Sequence, residues 1–121
     1  MNQQKFSIRS RIKSFYFAGR GICRFLQTEH NAWIHLAATI IVIAAAWFFK
    51  VSRTEAIALA GAVGLVWVAE MFNTCLERTM DLISKEEHPG IGFIKDVAAG
   101  AVLVAAIIAV IIGLFIFIPK I

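Results

Sequence analysis

The sequence predicts an all-α membrane protein, an N-terminal amphipathic helix lying on the membrane surface followed by three transmembrane helices. Three observations carry this. Of the 121 residues, 60% are hydrophobic and 17% charged, against about 45–50% and about a quarter in soluble domains. A chain of this length makes one domain, too small to hide so much apolar surface in its own core, so lipid or partner subunits cover the rest. The apolar residues gather in three long runs bounded by charge, whereas the first 30 residues are polar and basic with scattered aromatics.

Taken in order, residues 1–31 read as the surface helix. Ile8, Ile12, Phe15, Gly19, Ile22 and Leu26 recur at steps of three and four, while Arg9, Lys13, Arg20 and Arg24 lie off that stripe. Such a helix suits an anionic membrane surface, and it equally suits a part in holding an anionic substrate. No apolar core follows the first methionine, so no cleaved signal is expected. The first span, 33–49, is short, and Trp33, Trp47 and Lys50 fall where its two interfaces lie. The second, 56–81, is interrupted by Glu70 and Asn73. The third, 93–118, has no charge from 97 onward and exceeds the roughly 20 residues a bilayer needs. Strands are excluded, because a lone strand cannot satisfy its backbone in lipid.

Lysine and arginine set the orientation. Lys5, Arg9, Arg11, Lys13, Arg20 and Arg24 precede the first span, and Arg78, Lys85 and Lys95 cluster near the loop between the second and third. Lys50, Arg53 and Lys120 fall on the other side. The N-terminus and that loop are therefore predicted to be cytoplasmic and the C-terminus outside. The net charge of +4 thus points to anionic lipid or an anionic substrate, not to nucleic acid. Cys23 and Cys75 form neither a disulfide framework nor a zinc spacing. His30 and His35, five apart, point in different directions on a helix, and His88 stands alone in a loop. Gly61 and Gly64, and the repeat Ala101, Ala105, Ala109 and Gly113, are expected to mark close helix packing.

The second span carries the chemistry. Glu70, Asn73, Glu77 and Asp81 are three, four and four residues apart, which at about 100° per residue makes one polar stripe. A single charge near the bilayer centre costs about 3 kcal/mol, so the stripe must face protein, water or a cation. A helix end in the headgroup region explains Asp81 and Glu77, but Glu70 stands about 16 Å above Asp81 at 1.5 Å per residue. Carboxylates a turn apart, with Glu29 before the first span, suit Mg²⁺, which takes oxygen ligands and bridges to substrate phosphates. Lys95 and the cytoplasmic loop offer donors to those phosphates. A deeper carboxylate such as Glu70 suits proton abstraction from a lipid hydroxyl. Together these describe phosphoryl transfer at a membrane surface. A cation- or proton-coupled transporter subunit with Glu70 as its coupling group is the other reading of the spacing, and a register-fixing stripe in a structural oligomer is a third.

The run Glu70-Met-Phe-Asn73-Thr-Cys-Leu-Glu77-Arg-Thr-Met-Asp81 resembles the small integral-membrane diacylglycerol kinases and undecaprenol kinases of prokaryotes. So do Glu86-Glu87-His88-Pro89, Lys95-Asp96-Val-Ala-Ala-Gly-Ala-Val-Leu, Ala18-Gly-Arg20-Gly21 and Glu29-His-Asn31, and the resemblance covers nearly the whole chain. It implies a homotrimer in the bacterial inner membrane, with active sites shared between neighbouring chains. Its activity is implied to be ATP- and Mg²⁺-dependent phosphorylation of the primary hydroxyl of a membrane lipid alcohol, diacylglycerol or undecaprenol. By the same resemblance Glu70 is the general base, Asn73 an active-site residue, and Glu29 and Glu77 the metal ligands. Phe17, Glu86, Glu87, His88, Lys95 and Asp96 join the two metal ligands around the nucleotide. Asn31, His35 and Ala99 join Glu70 around the lipid. Phe17 stands where many relatives carry tyrosine, with Tyr16 beside it. The stretch from Glu29 to His35 and the His88-Pro89 pair resemble the undecaprenol kinases more closely.

Overall fold

The computed structural model describes residues 5–121. They form four helices, α1 (Ile8–Thr28), α2 (His30–Phe48), α3 (Arg53–Ile83) and α4 (Pro89–Phe117), followed by a 3₁₀ turn, Ile118–Lys120. Helices α2, α3 and α4 are each long and apolar enough to cross a membrane. The first residues of the expected 1–31 helix lie outside the described residues.

The helix ends differ from the sequence expectation by a few residues, and polar caps are the reason. Glu29 takes an extended conformation; its N–H donates to the Phe25 carbonyl at 3.1 Å and its carbonyl accepts from Ala32 N–H at 3.2 Å. One residue thereby closes α1 and opens α2. Helix α3 begins at Arg53 instead of 56, because Ser52 and Glu55 form a reciprocal capping box: Glu55 N–H donates to Ser52 Oγ at 3.1 Å, and Ser52 N–H to Glu55 Oε1 at 2.8 Å. Helix α4 begins at Pro89 instead of 93, since proline is preorganised for a first helical position and His88 Nδ1 accepts from Gly90 N–H at 3.0 Å. Hydropathy finds where the apolar run starts, whereas the helix starts at its cap.

Helix α2 closes with Lys50 at φ 51°. Val51 N–H donates to the Ala46 carbonyl at 3.1 Å and Lys50 N–H to the Trp47 carbonyl at 3.3 Å, the paired bonds of a Schellman ending. Lysine bears a left-handed penalty there that glycine avoids. Lys50→Gly is therefore expected to raise the thermal unfolding midpoint in detergent, with a gain of about 1 kcal/mol, while Lys50→Ala leaves the strain in place.

The chain divides into two compact units, one ending at Ala37 and one running from Ala38 to Ile121. In the second, α3 packs along α4, and Trp67 Nε1 donates to Thr39 Oγ1 at 2.8 Å to link α3 to α2. At the end away from the α3–α4 loop, Lys120 Nζ meets Glu55 Oε1 at 3.1 Å, and the Phe49 and Phe117 rings lie 5.9 Å apart. The buried line of α4 runs through Ala98, Ala105 and Ile116. Of the expected small-residue face, Ala105 lies on that line and Ala109 and Gly113 are half-buried, while Ala101 is exposed. A Cβ added at Gly61, Gly64 or Gly113 meets nothing within 4 Å, so these glycines do not serve close packing inside this chain. Large apolar side chains such as Trp47, Phe115 and Leu103 are exposed all round the helices, a surface suited to lipid or partner subunits.

Candidate active site

The polar stripe of α3 divides by depth. Glu70 is 5% exposed and Asn73 9%, and Thr74 is buried beside them, while Glu77 and Asp81, one and two turns further on, are exposed. The 3.6-residue period puts all four acidic and amide positions on one face, of which Glu70 and Asn73 are covered. Burying such groups without partners is costly. Asn73 Nδ2 donates to Glu77 Oε1 at 3.4 Å, and Asn73 Oδ1 is buried with no hydrogen-bond partner. A buried amide oxygen left open is an acceptor held ready for a hydroxyl, a water or a cation.

Where α3 ends, the chain turns through residues 84–88 into α4. Ser84 N–H donates to the Met80 carbonyl at 3.0 Å, and Ser84 Oγ accepts from Glu86 N–H at 3.1 Å. With the His88 cap, these bonds shape the loop over a cleft of about 540 Å³, lined by Asp81, Lys85, Glu86, Glu87, His88 and Lys95 among others. Lys95 Nζ is 2.7 Å from Asp81 Oδ1. Asp96, the next residue of α4, is turned about 100° away and is not among the lining residues.

The structure therefore brings together Asn73 with Glu77, with Glu70 one turn deeper, and Glu86, Glu87 and His88 with Lys95. Ala99 is exposed beside buried Ala98 on α4. Phe17, Glu29, Asn31 and His35 belong to the first unit. There Phe17 is exposed, its ring 5.6 Å from that of Tyr16, and Glu29 is the corner between α1 and α2.

The family model for prokaryotic diacylglycerol kinases matches residues 16–117, a segment that contains every one of these residues. The chain belongs to this family. Among curated relatives of the kinase family, it is 42% identical to the undecaprenol kinase of Bacillus subtilis over 109 residues, covering 90% of this chain and 89% of that one. It is 37% identical to the diacylglycerol kinase of a Synechocystis species over 109 residues, covering 89% of this chain and 62% of the relative. To the diacylglycerol kinase of Escherichia coli it is 33% identical over 87 residues, 66% of this chain and 71% of that enzyme.

Kinase chemistry raises the question of a divalent metal. Among the described residues no three His, Cys, Asp or Glu side chains gather as a metal site. Mg²⁺ does not require that; it is commonly held by one or two carboxylates and completes its shell with substrate phosphates and water. Exposed Glu77, with the open Asn73 Oδ1 one turn away, offers hard oxygen donors of this kind, so the residues present fit the ion. Two features escaped the sequence reading. Thr74 joins the buried polar group four residues after Glu70, a signal available in the spacing. The Asp81–Lys95 pair joins residues 14 apart, which only the path of the loop reveals.

Proposed function

We propose that this protein is a lipid kinase of the bacterial inner membrane that uses MgATP to phosphorylate the primary hydroxyl of a membrane lipid alcohol. Undecaprenol is the favoured acceptor, supported by the higher identity to an undecaprenol kinase over nearly all of both chains, and diacylglycerol is the second. The observation that carries the reading is a buried carboxylate, Glu70, one turn from a buried, unpartnered amide oxygen, Asn73 Oδ1, inside an apolar helix.

In this reading the lipid hydroxyl rests between these two groups. Glu70 accepts the single hydrogen bond of the hydroxyl and takes that proton as the lipid oxygen attacks the γ-phosphorus and the bond to the β-phosphate oxygen breaks, while Asn73, whose amide N–H donates to Glu77 Oε1, keeps the neighbouring carboxylate in place. Glu77 of one copy and Glu29 of a neighbouring copy would hold Mg²⁺, which would supply neutralisation of phosphate charge. Lys95, Glu86, Glu87 and His88 hold the nucleotide at the cytoplasmic loop; the resemblance to the family adds Asp96, outside that cleft, and Phe17 as further nucleotide contacts. Asn31, His35 and Ala99 line the path of the lipid. Helix α1 lies on the inner surface through its exposed Ile8, Ile12, Phe15 and Ile22, with its arginines toward anionic headgroups. A neighbouring copy completes each site, since one polar helix face cannot enclose both substrates, and the resemblance to the family makes the assembly a homotrimer.

Two experiments test this. Purified protein in detergent micelles, given MgATP and either lipid at equal mole fraction, is expected to phosphorylate undecaprenol faster than diacylglycerol; the reverse order reassigns the acceptor. Inactive Glu29→Gln and Glu70→Gln subunits, co-reconstituted, are expected to regain part of the activity, because some sites then combine two intact halves. Mixed oligomers, verified by differential tags, that stay inactive at every ratio rule out shared sites.

A further inference from the structure

Asp81 ends the polar stripe of α3, exposed and too far from Glu70 to share its chemistry. Its carboxylate nevertheless has a defined partner, the Lys95 ammonium at 2.7 Å, reached from the second turn of α4 across the loop. We propose that Asp81 is a positioning residue, which holds the Lys95 ammonium at the mouth of the α3–α4 cleft so that the phosphates of a nucleotide meet a cation already in place. This deepens the lipid-kinase reading and rests on it.

Three observations support the assignment. The ammonium has three donors and spends one on Asp81 Oδ1, leaving two for phosphate oxygens. The two side chains are 38% and 55% exposed, so a soluble ligand can approach the pair without breaking it. The cleft is lined by the acids Asp81, Glu86 and Glu87 against the bases Lys85 and Lys95, an excess of negative charge that repels phosphate unless a cation is fixed where the phosphate arrives. An exposed ion pair adds little to stability. The consequence of the contact is instead the placement of a long, flexible side chain that otherwise samples many rotamers. The frame is rigid on both sides: Asp81 sits in the last turn of α3, whose end is closed by Ser84, and Lys95 follows the proline and histidine cap of α4.

The test is a double-mutant cycle on the full-length protein in detergent, read by displacement of a fluorescent ATP analogue and by steady-state kinetics. Asp81→Asn is expected to weaken nucleotide binding and raise KM for MgATP about two- to fivefold, the range an exposed ion pair supports. The kcat and the KM for lipid stay unchanged, and Asp81→Glu recovers most of the loss. In a Lys95→Met background Asp81→Asn adds nothing. Unchanged or tighter nucleotide binding in Asp81→Asn, or an equal loss in both backgrounds, overturns the proposal; the last outcome means that Asp81 acts otherwise than through Lys95. The binding arm needs no lipid turnover. A cycle that shows the coupling, with a wild-type protein that phosphorylates no lipid, therefore supports the placement of Lys95 and strikes only the lipid-kinase reading.

Discussion

Glu70→Gln is expected to lower lipid phosphorylation by about two to four orders of magnitude, the contribution typical of a positioned general base, while nucleotide binding persists. Glutamine keeps the volume and the hydrogen-bonding reach of the buried side chain, which is 5% exposed, and removes only its ability to take a proton. The helix should tolerate the exchange, since a neutral amide is easier to bury than a carboxylate. Turnover and nucleotide binding measured on the same preparation check this, with thermal unfolding as the control for folding. Near-normal turnover would give Glu70 a structural role.

Glu77→Gln is expected to act differently. The Asn73 amide donates to one oxygen of the exposed Glu77 carboxylate at 3.4 Å, which orients the group. Removing an outer-sphere partner of a metal ligand commonly costs 10–100-fold, and loss of the ligand's own charge should cost at least about that much. Activity at ordinary Mg²⁺ should fall accordingly and recover in part as Mg²⁺ is raised, because a weakened site refills by mass action. Glu70→Gln should show no such recovery. A Glu77→Gln enzyme with normal Mg²⁺ dependence removes this residue from the metal site.

Much of the fold was legible because a bilayer forbids alternatives: long runs with few or no charges must be helices. The polar stripe was legible too, since its period is set by the helix alone. What the sequence did not disclose is depth. Glu70 and Asn73 lie under cover and Glu77 does not, a distinction made by tertiary packing and carried by no residue of the stripe itself. Helix boundaries were displaced because Ser52, Glu55, His88 and Pro89 are polar or turn-forming residues that belong to caps and stand outside the hydropathy signal. The packing face of α4 was legible in part: Ala105, Ala109 and Gly113 of the expected stripe are buried or half-buried, and Ala101 is not. Alanine at every fourth position is also what a lipid-exposed helix can carry, and only contact with α3 selects Ala98, Ala105 and Ile116. The pairing of Asp81 with Lys95 depends on loop geometry, which local sequence periodicity does not encode.

The most direct test of the account is transfer of label from γ-labelled ATP to an extractable lipid by the purified protein in nanodiscs containing undecaprenol or diacylglycerol. The account predicts one phosphorylated lipid for each ADP formed, with no transfer when Mg²⁺ is chelated. Absence of labelled lipid under these conditions, together with proton or cation flux by the same protein in sealed vesicles, would contradict it and make the buried carboxylate of α3 a coupling group for transport.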